Sequence, residues 1–184
     1  MSDRHFAFWP KRLSTSLTIP KTTLFYNLEV SAQRYPNKTA INYYGSEISF
    51  RRLYDEVTRL AGYLQNEGVA KGDRVLLYMQ NAPQFVISFH AIVRVGAVVV
   101  PINPMNKQQE LRGHVTDCEP KLAIVGQELF PELAPLVEES TVDRVIVAAY
   151  ADYIEKQTDL TIPDVVRAPR AAFDEAYVTL WQVA

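Results

Sequence analysis

The residues best suited to chemistry in this chain of 184 residues are few and scattered. His5, His90 and His114 lie too far apart in sequence to form a local metal-binding motif. His90 could shuttle a proton, but a polar residue at the edge of a packed helical face is the favoured interpretation. Cys118 continues the apolar stripe of a predicted helix, which favours a buried structural thiol over a nucleophile. We therefore assign no catalytic residue and no metal site.

Nucleotide-binding loops are also absent from the sequence. The seven glycines are never closer than four positions, so they form neither a dinucleotide fingerprint nor a P-loop. The ten Tyr and eight Phe lie mostly at core periods or in strands. The chain has a formal charge of −2, and no basic stripe accompanies these aromatic residues. The sequence therefore does not predict a nucleic-acid partner.

Composition indicates an ordinary globular chain with one core, since 48% of residues are apolar and 22% are charged. The first twelve residues lack the continuous apolar stretch of a signal peptide. The longest apolar region, 91–102, is too short and too interrupted for a transmembrane segment. The single Cys118 favours a reducing compartment, so we expect a soluble cytoplasmic protein.

The elements that would position any site begin after an extended N-terminal arm, residues 1–21. A helix is predicted over 22–35, and a small hairpin over 39–49 with its tight turn at Gly45-Ser46. Ser49 is a suitable cap for a second helix that ends near Gly68.

From residue 74 to residue 147, apolar strands alternate with helices. The predicted strands are 74–79, 97–100, 121–125 and 142–147, and the predicted helices are 83–95, 108–117 and 128–137. This order predicts an α/β fold over residues 22–150, a doubly wound, mostly parallel sheet with flanking helices and right-handed crossovers, preceded by the small hairpin. Pro101 and Pro104 are expected to end strand pairing.

Residues 151–184 break the alternation. They are predicted to form a surface excursion followed by a terminal amphipathic helix, Phe173 to Ala184, that leads to missing sequence. The helix would expose Tyr177 and Trp181, and we expect concentration-dependent self-association through that face.

An ordered series of short motifs runs from about Thr22 to Val147. The motifs are Leu24-Phe25, Ser31 to Ala40, Ile48-Ser49-Phe50, Leu53, Gly68-Val69, Lys71 to Val75, Asn81 to Val86 and Ala91 to Pro104. In this order, the series resembles the opening of the AMP-forming, adenylate-forming enzymes, particularly fatty-acid and aromatic-acid CoA ligases.

The resemblance implies that this chain is the first lobe of the large domain of an acyl-CoA synthetase, truncated before the ATP phosphate-binding loop. The full-length enzyme would use ATP with Mg to convert a carboxylic acid to acyl-AMP, and would then transfer the acyl group to CoA. A medium- to long-chain fatty acid is the favoured substrate, and an aryl acid is the alternative. The lobe alone would be an inactive scaffold without a tightly bound cofactor.

One binding residue is carried over from the resemblance. Some CoA ligases place a basic residue after the Asn-Pro that follows the strand, where it meets the phosphates of CoA. Met105 occupies the position where an Arg is sometimes found, and Lys107 is the nearest basic residue. An ordinary solvated lysine is the alternative.

Two other functions remain open. An adenylation domain that loads a carrier protein would share this scaffold, and sequence downstream of it would separate the two. A free-standing, non-enzymatic α/β binding module would explain the lack of catalytic motifs.

Overall fold

The computed structural model describes residues 4–184. Within this range the chain forms helices that flank a sheet, as the sequence predicts. The α-helices are α1 (Leu24–Arg34), α2 (Phe50–Asn66), α3 (Pro83–Arg94), α4 (Gln108–Cys118), α5 (Phe130–Val137) and the short α6 (Asp164–Arg167).

The strands form a hairpin and a separate parallel sheet. They are β1 (Thr39–Tyr43), β2 (Ser46–Ser49), β3 (Arg74–Tyr78), β4 (Val98–Ile102), β5 (Leu122–Gly126), β6 (Arg144–Ala148) and β7 (Val178–Leu180). β1 and β2 pair antiparallel. The sheet has the order β4-β3-β5-β6-β7 with every neighbouring pair parallel.

Strand β3 lies inside the sheet and shows why helices cover both faces. Val75 and Leu77 join the apolar cluster that contains α1, α2 and α3. Leu76 and Tyr78 join the second cluster, with α4 and α5. All four side chains are fully buried, as expected for a parallel strand beneath crossover helices. The predicted doubly wound α/β fold is confirmed.

Local polar groups define the start of α2 and the turn of the hairpin. Ser49 Oγ accepts a hydrogen bond of 3.2 Å from the N–H of Arg52, which confirms the predicted cap. The predicted turn residues are off by one, since Ser46 already pairs with Tyr43. Tyr44 and Gly45 form the turn, both with positive φ, because the twist of a two-residue hairpin requires that geometry.

Pro101 lies within β4 and does not end it, in contrast to the prediction. It pairs with Leu77 in register. The N–H of Val98 donates to the carbonyl of Asp73 beside β3, so by alternation the backbone of Pro101 faces the open side of this edge strand. A missing N–H costs no ladder hydrogen bond there.

The predicted terminal helix, Phe173 to Ala184, is wrong, because the segment supplies edge strand β7. The N–H of Val145 donates to the carbonyl of Tyr177, and the N–H of Trp181 donates to that of Val147, both at 2.9 Å. These bonds pair backbone groups along the open edge of β6. The stabilisation they provide outweighs the helical preference that the apolar spacing indicates. Trp181 is half-buried against the first cluster, so the exposed helical face expected to drive self-association is absent.

The predicted surface excursion packs back onto the lobe. Tyr150–Tyr153 forms a 3-10 turn whose two tyrosines are buried. Farther along, Ser46 Oγ accepts the N–H groups of Glu155 and Lys156 at 2.8 and 3.1 Å.

The described part of the N-terminal arm stays on the outside. Arg4–Phe8 forms a 3-10 helix rather than an extended segment. Residues 7–21 are all exposed. The first three residues of the predicted arm lie outside the described range.

Candidate functional site

The carboxyl ends of the parallel strands define the candidate site. β4 and β5 lie on opposite sides of β3, so the chain leaves β3 in one direction and returns on the other side. Crevices at such a reversal, beyond the carboxyl ends of the strands, are the usual ligand sites of open α/β sheets. The relevant segments are therefore those following Tyr78, Ile102, Gly126 and Ala148.

Tyr150 connects two of these segments. Its hydroxyl accepts a hydrogen bond of 2.8 Å from the N–H of Gln80, just after β3. The same hydroxyl donates to Glu128 Oε1, just after β5, at 2.8 Å. Burial raises the pKa of the phenol well above its ordinary range, so Tyr150 remains a neutral donor and holds the two loops together.

Glu128 is the least satisfied acid at this edge. Its Oε2 atom is buried and has no hydrogen-bond partner among the described residues. Burial raises the pKa of this carboxyl above its ordinary value of 4.5, against the opposing effect of its hydrogen bonds. Glu128 therefore favours the protonated form more than an exposed glutamate does.

Gly126, the last residue of β5, makes this arrangement possible. A β-carbon at this position would lie 2.2 Å from the Tyr150 hydroxyl oxygen and 2.7 Å from Glu128 Oε2. Those separations are well inside van der Waals contact, so any larger residue would displace the tyrosine.

A second polar group holds β6 against α3. The fully buried Gln84 donates from Nε2 to the carbonyl of Ala149 at 2.8 Å. The Oε1 atom of Gln84 and the hydroxyl of Ser88, one turn later, are buried without a partner in the described structure. Polar atoms in such a position are usually satisfied by buried water.

Lys107 also lies beyond the carboxyl ends of the strands, in the loop between β4 and α4. Its Nζ donates to Glu132 Oε1 at 2.9 Å, and the other oxygen of Glu132 accepts the N–H of Gln108 at 3.1 Å. The hydrogen bond from Lys107 is the main reason that the pKa of Glu132 is lowered. The Lys107 side chain is 71% exposed. It can reach a dissolved phosphate, although the phosphate must compete with Glu132.

Neighbouring atoms fix the Lys107 loop without adding positive charge. The hydroxyl of Tyr78 donates to the carbonyl of Asn106 at 2.5 Å, and burial raises the pKa of Tyr78 to about 12. Met105 is exposed in the preceding turn. Lys107 is therefore the cation that this loop offers to an anion.

The other residues considered from sequence do not join this group. His90 is half-buried on α3 beside Phe89, and burial lowers its pKa. Cys118 ends α4, where its carbonyl accepts a hydrogen bond of 2.6 Å from Arg74, the first residue of β3. That contact lies at the amino end of β3, opposite the carboxyl ends of the strands.

Metal and membrane features are absent from residues 4–184. No group of three or more His, Cys, Asp or Glu in this range could hold a metal ion. No helix there is long and apolar enough to cross a bilayer.

Sequence comparison decides the family of this chain. Residues 28–179 match the family described as AMP-binding enzyme. The chain belongs to this family. Within it, a long-chain-fatty-acid–CoA ligase of Bacillus subtilis is 33% identical over 157 residues, covering 85% of this chain and 28% of the ligase. An acetyl-coenzyme A synthetase of Laribacter hongkongensis is 34% identical over 139 residues, covering 71% of this chain and 21% of that synthetase.

Solved structures agree on the family and fold. The crystal structure of a long-chain-fatty-acid–CoA ligase from Archaeoglobus fulgidus superposes with a TM-score of 0.66 at 30% identity, covering 72% of this chain and 28% of that chain. The present chain thus spans about a quarter of the length of the AMP-binding enzymes it matches.

The Tyr150–Glu128 contact was not predicted from sequence. Both residues follow strands that the sequence does predict, Glu128 after β5 and Tyr150 after β6. Their position at strand ends is the signal that could have identified them. Lys107 as a phosphate-binding residue remains a prediction.

Proposed function

We propose that this chain forms the first lobe of an AMP-forming acyl-CoA synthetase. In that enzyme, a carboxylic acid reacts with ATP to give acyl-AMP and pyrophosphate, and the CoA thiol then displaces AMP to give the thioester. The observation that carries the proposal is the match of residues 28–179 to the AMP-binding enzymes on the corresponding parallel fold.

The role of the lobe within that reaction is scaffolding. Its glycines are too widely spaced for a phosphate loop. We therefore place the groups that bind ATP and Mg outside these residues and expect the chain alone to be inactive and to bind no cofactor tightly. The Tyr150 contacts would hold the carboxyl edge rigid behind the bound nucleotide.

Lys107 is the residue through which this lobe would meet CoA. Its exposed Nζ can donate to a phosphate of CoA, and the pairing with Glu132 holds it near the carboxyl ends of the strands. The pairing also weakens its attraction for an anion, because Glu132 offsets its charge. Lys107 would therefore contribute a modest part of the affinity for CoA.

A medium- or long-chain fatty acid is the substrate we favour, and the cytoplasm the compartment. Several relatives carry the name long-chain-fatty-acid–CoA ligase. A synthetase named for acetyl-coenzyme A has similar identity, so chain length must be measured. The lone Cys118 suits a reducing compartment.

A chimera tests the proposal. Residues 24–180 would replace the corresponding N-terminal part of the Bacillus subtilis ligase, and acyl-CoA would be measured by mass spectrometry with acetate, octanoate or palmitate. We expect acyl-CoA from octanoate and palmitate with ATP and CoA present. A folded chimera that forms no acyl-CoA from any acid would refute the proposal.

The chimera inherits its acceptor preference from the ligase, so the carrier-protein alternative needs the gene's own downstream sequence. A product expressed from that sequence that loads a phosphopantetheine arm but not free CoA would favour an adenylation domain. A downstream sequence without a phosphate loop would favour a non-enzymatic binding module.

A further inference from the structure

The described part of the N-terminal arm, residues 4–21, exposes several large apolar side chains. Phe8 is 91% exposed and Leu17 is 88% exposed. Every residue of this segment except Phe6 is exposed. The large apolar side chains in the exposed set are Phe8, Trp9, Leu13, Leu17 and Ile19. Exposed large apolar side chains that recur along one short segment indicate an interaction surface.

The arm is organised by its own contacts. The rings of Phe6 and Trp9 meet edge to face with centroids 6.1 Å apart. The Trp9 indole N–H donates to the carbonyl of Ser14 at 3.2 Å. Within residues 4–184, the hydrogen bonds made by residues 4–21 all join partners inside this segment. The lobe therefore does not cover its apolar side chains.

Charge identifies the kind of surface that the arm fits. Residues 4–21 contain Arg4, Lys11, Arg12 and Lys21 and none of the twenty-one acidic residues of the chain. The whole chain nevertheless has a net charge of −2. The positive charge is thus concentrated among the exposed apolar residues, and the family match begins only at residue 28.

We propose that the arm docks on an anionic lipid bilayer surface. Trp and Phe favour the bilayer interface, where their rings enter the headgroup region. Lys and Arg in the same segment are attracted to anionic headgroups. The arm combines both features. This inference is independent of catalysis by the lobe.

Vesicle binding tests the inference with the 184-residue chain. The chain should co-sediment with phosphatidylcholine vesicles that contain phosphatidylserine, and much less with phosphatidylcholine alone. In a W181F background, the fluorescence of Trp9 should shift to shorter wavelength on vesicle addition. Reversing two charges with K11E/R12E should weaken binding to the anionic vesicles by more than about tenfold.

Matched variants separate the arm from the rest of the surface. F8S/L17S should reduce vesicle binding about tenfold or more, whereas M105S/L160S changes two exposed side chains of the lobe and should not. Both pairs should unfold at the wild-type temperature, since neither lies in the core.

Two results would overturn the inference. The first is a chain that stays in the supernatant with every vesicle. If F8S/L17S then abolishes a lipid-free, concentration-dependent association, the arm is a protein contact instead. The second is vesicle binding that F8S/L17S leaves unchanged.

Discussion

The phenol of Tyr150 donates to Glu128 Oε1 at 2.8 Å while accepting the N–H of Gln80 at the same distance. One hydroxyl thus joins the loops that follow β3 and β5, the two strands between which ligands bind in open α/β sheets. Tyr150 is fully buried, so loss of this hydroxyl would leave polar groups without a partner.

Tyr150→Phe should destabilise the fold by about 1 to 3 kcal/mol, because the Gln80 N–H and the Glu128 carboxyl lose their partner. Urea unfolding measures the difference. Tyr26→Phe, which removes the hydroxyl of an exposed tyrosine, is the control and should have almost no effect. Equal stability of the two variants would show that water replaces the phenol.

Glu128 should make stability depend on pH. Burial raises its pKa above the ordinary 4.5, so the folded state binds more protons than the unfolded state. This contribution is fully present below 4.5 and is lost as pH rises through the folded pKa. E128Q should therefore gain stability relative to wild type as pH rises towards neutral, and E47Q, at an exposed site, should not. A pH-independent difference would contradict the assignment.

Gly126→Ala should cost about 1 to 3 kcal/mol because the added carbon collides with the Tyr150 hydroxyl, which lies 2.2 Å from its position. Gly113→Ala is the opposite case. Gly113 lies in α4 with nothing within 4 Å of a β-carbon, so alanine should stabilise it by about 0.5 to 1 kcal/mol. Thermal unfolding of both variants decides the comparison.

Lys107→Ala should raise the KM for CoA in the chimera about tenfold, as expected when a charge-assisted phosphate contact is lost. Folding stability should change by less than about 1 kcal/mol, because the Lys107 side chain of the pair is largely exposed. Arg112→Ala breaks another exposed pair, with Glu139, and should leave KM unchanged. An unchanged KM for Lys107→Ala would make Lys107 an ordinary surface lysine.

Pro101→Thr should promote association of the chain in lipid-free buffer. The substitution adds an N–H on the open side of edge strand β4, where a second strand could pair. Sedimentation velocity at increasing concentration measures the effect, with the exposed arm variant Pro20→Thr as control. If Pro101→Thr sediments as the wild type does, the open edge is protected by other means.

The sheet could be predicted because its strands are short apolar runs separated by helical periods. Val75 to Tyr78 are all buried, and a run of this kind is typical of a strand covered on both faces. The Ser49 cap was predictable for a similar reason, since its partner lies only three residues away.

The parts that could not be predicted depend on tertiary contacts. Phe173 to Ala184 has a helical apolar period, yet the backbone of β6 offers hydrogen bonds that only an extended segment satisfies. The contact between Glu128 and Tyr150 joins loops 22 residues apart. No sequence pattern near either residue indicates that the other is its partner.

The most direct test of the central claim is acid-dependent pyrophosphate release, measured side by side for the 184-residue chain and for the chimera with ATP and palmitate. We expect release from the chimera and none above background from the chain, as a scaffolding lobe requires. Release from the chain alone, or a folded chimera that releases none, would contradict the account.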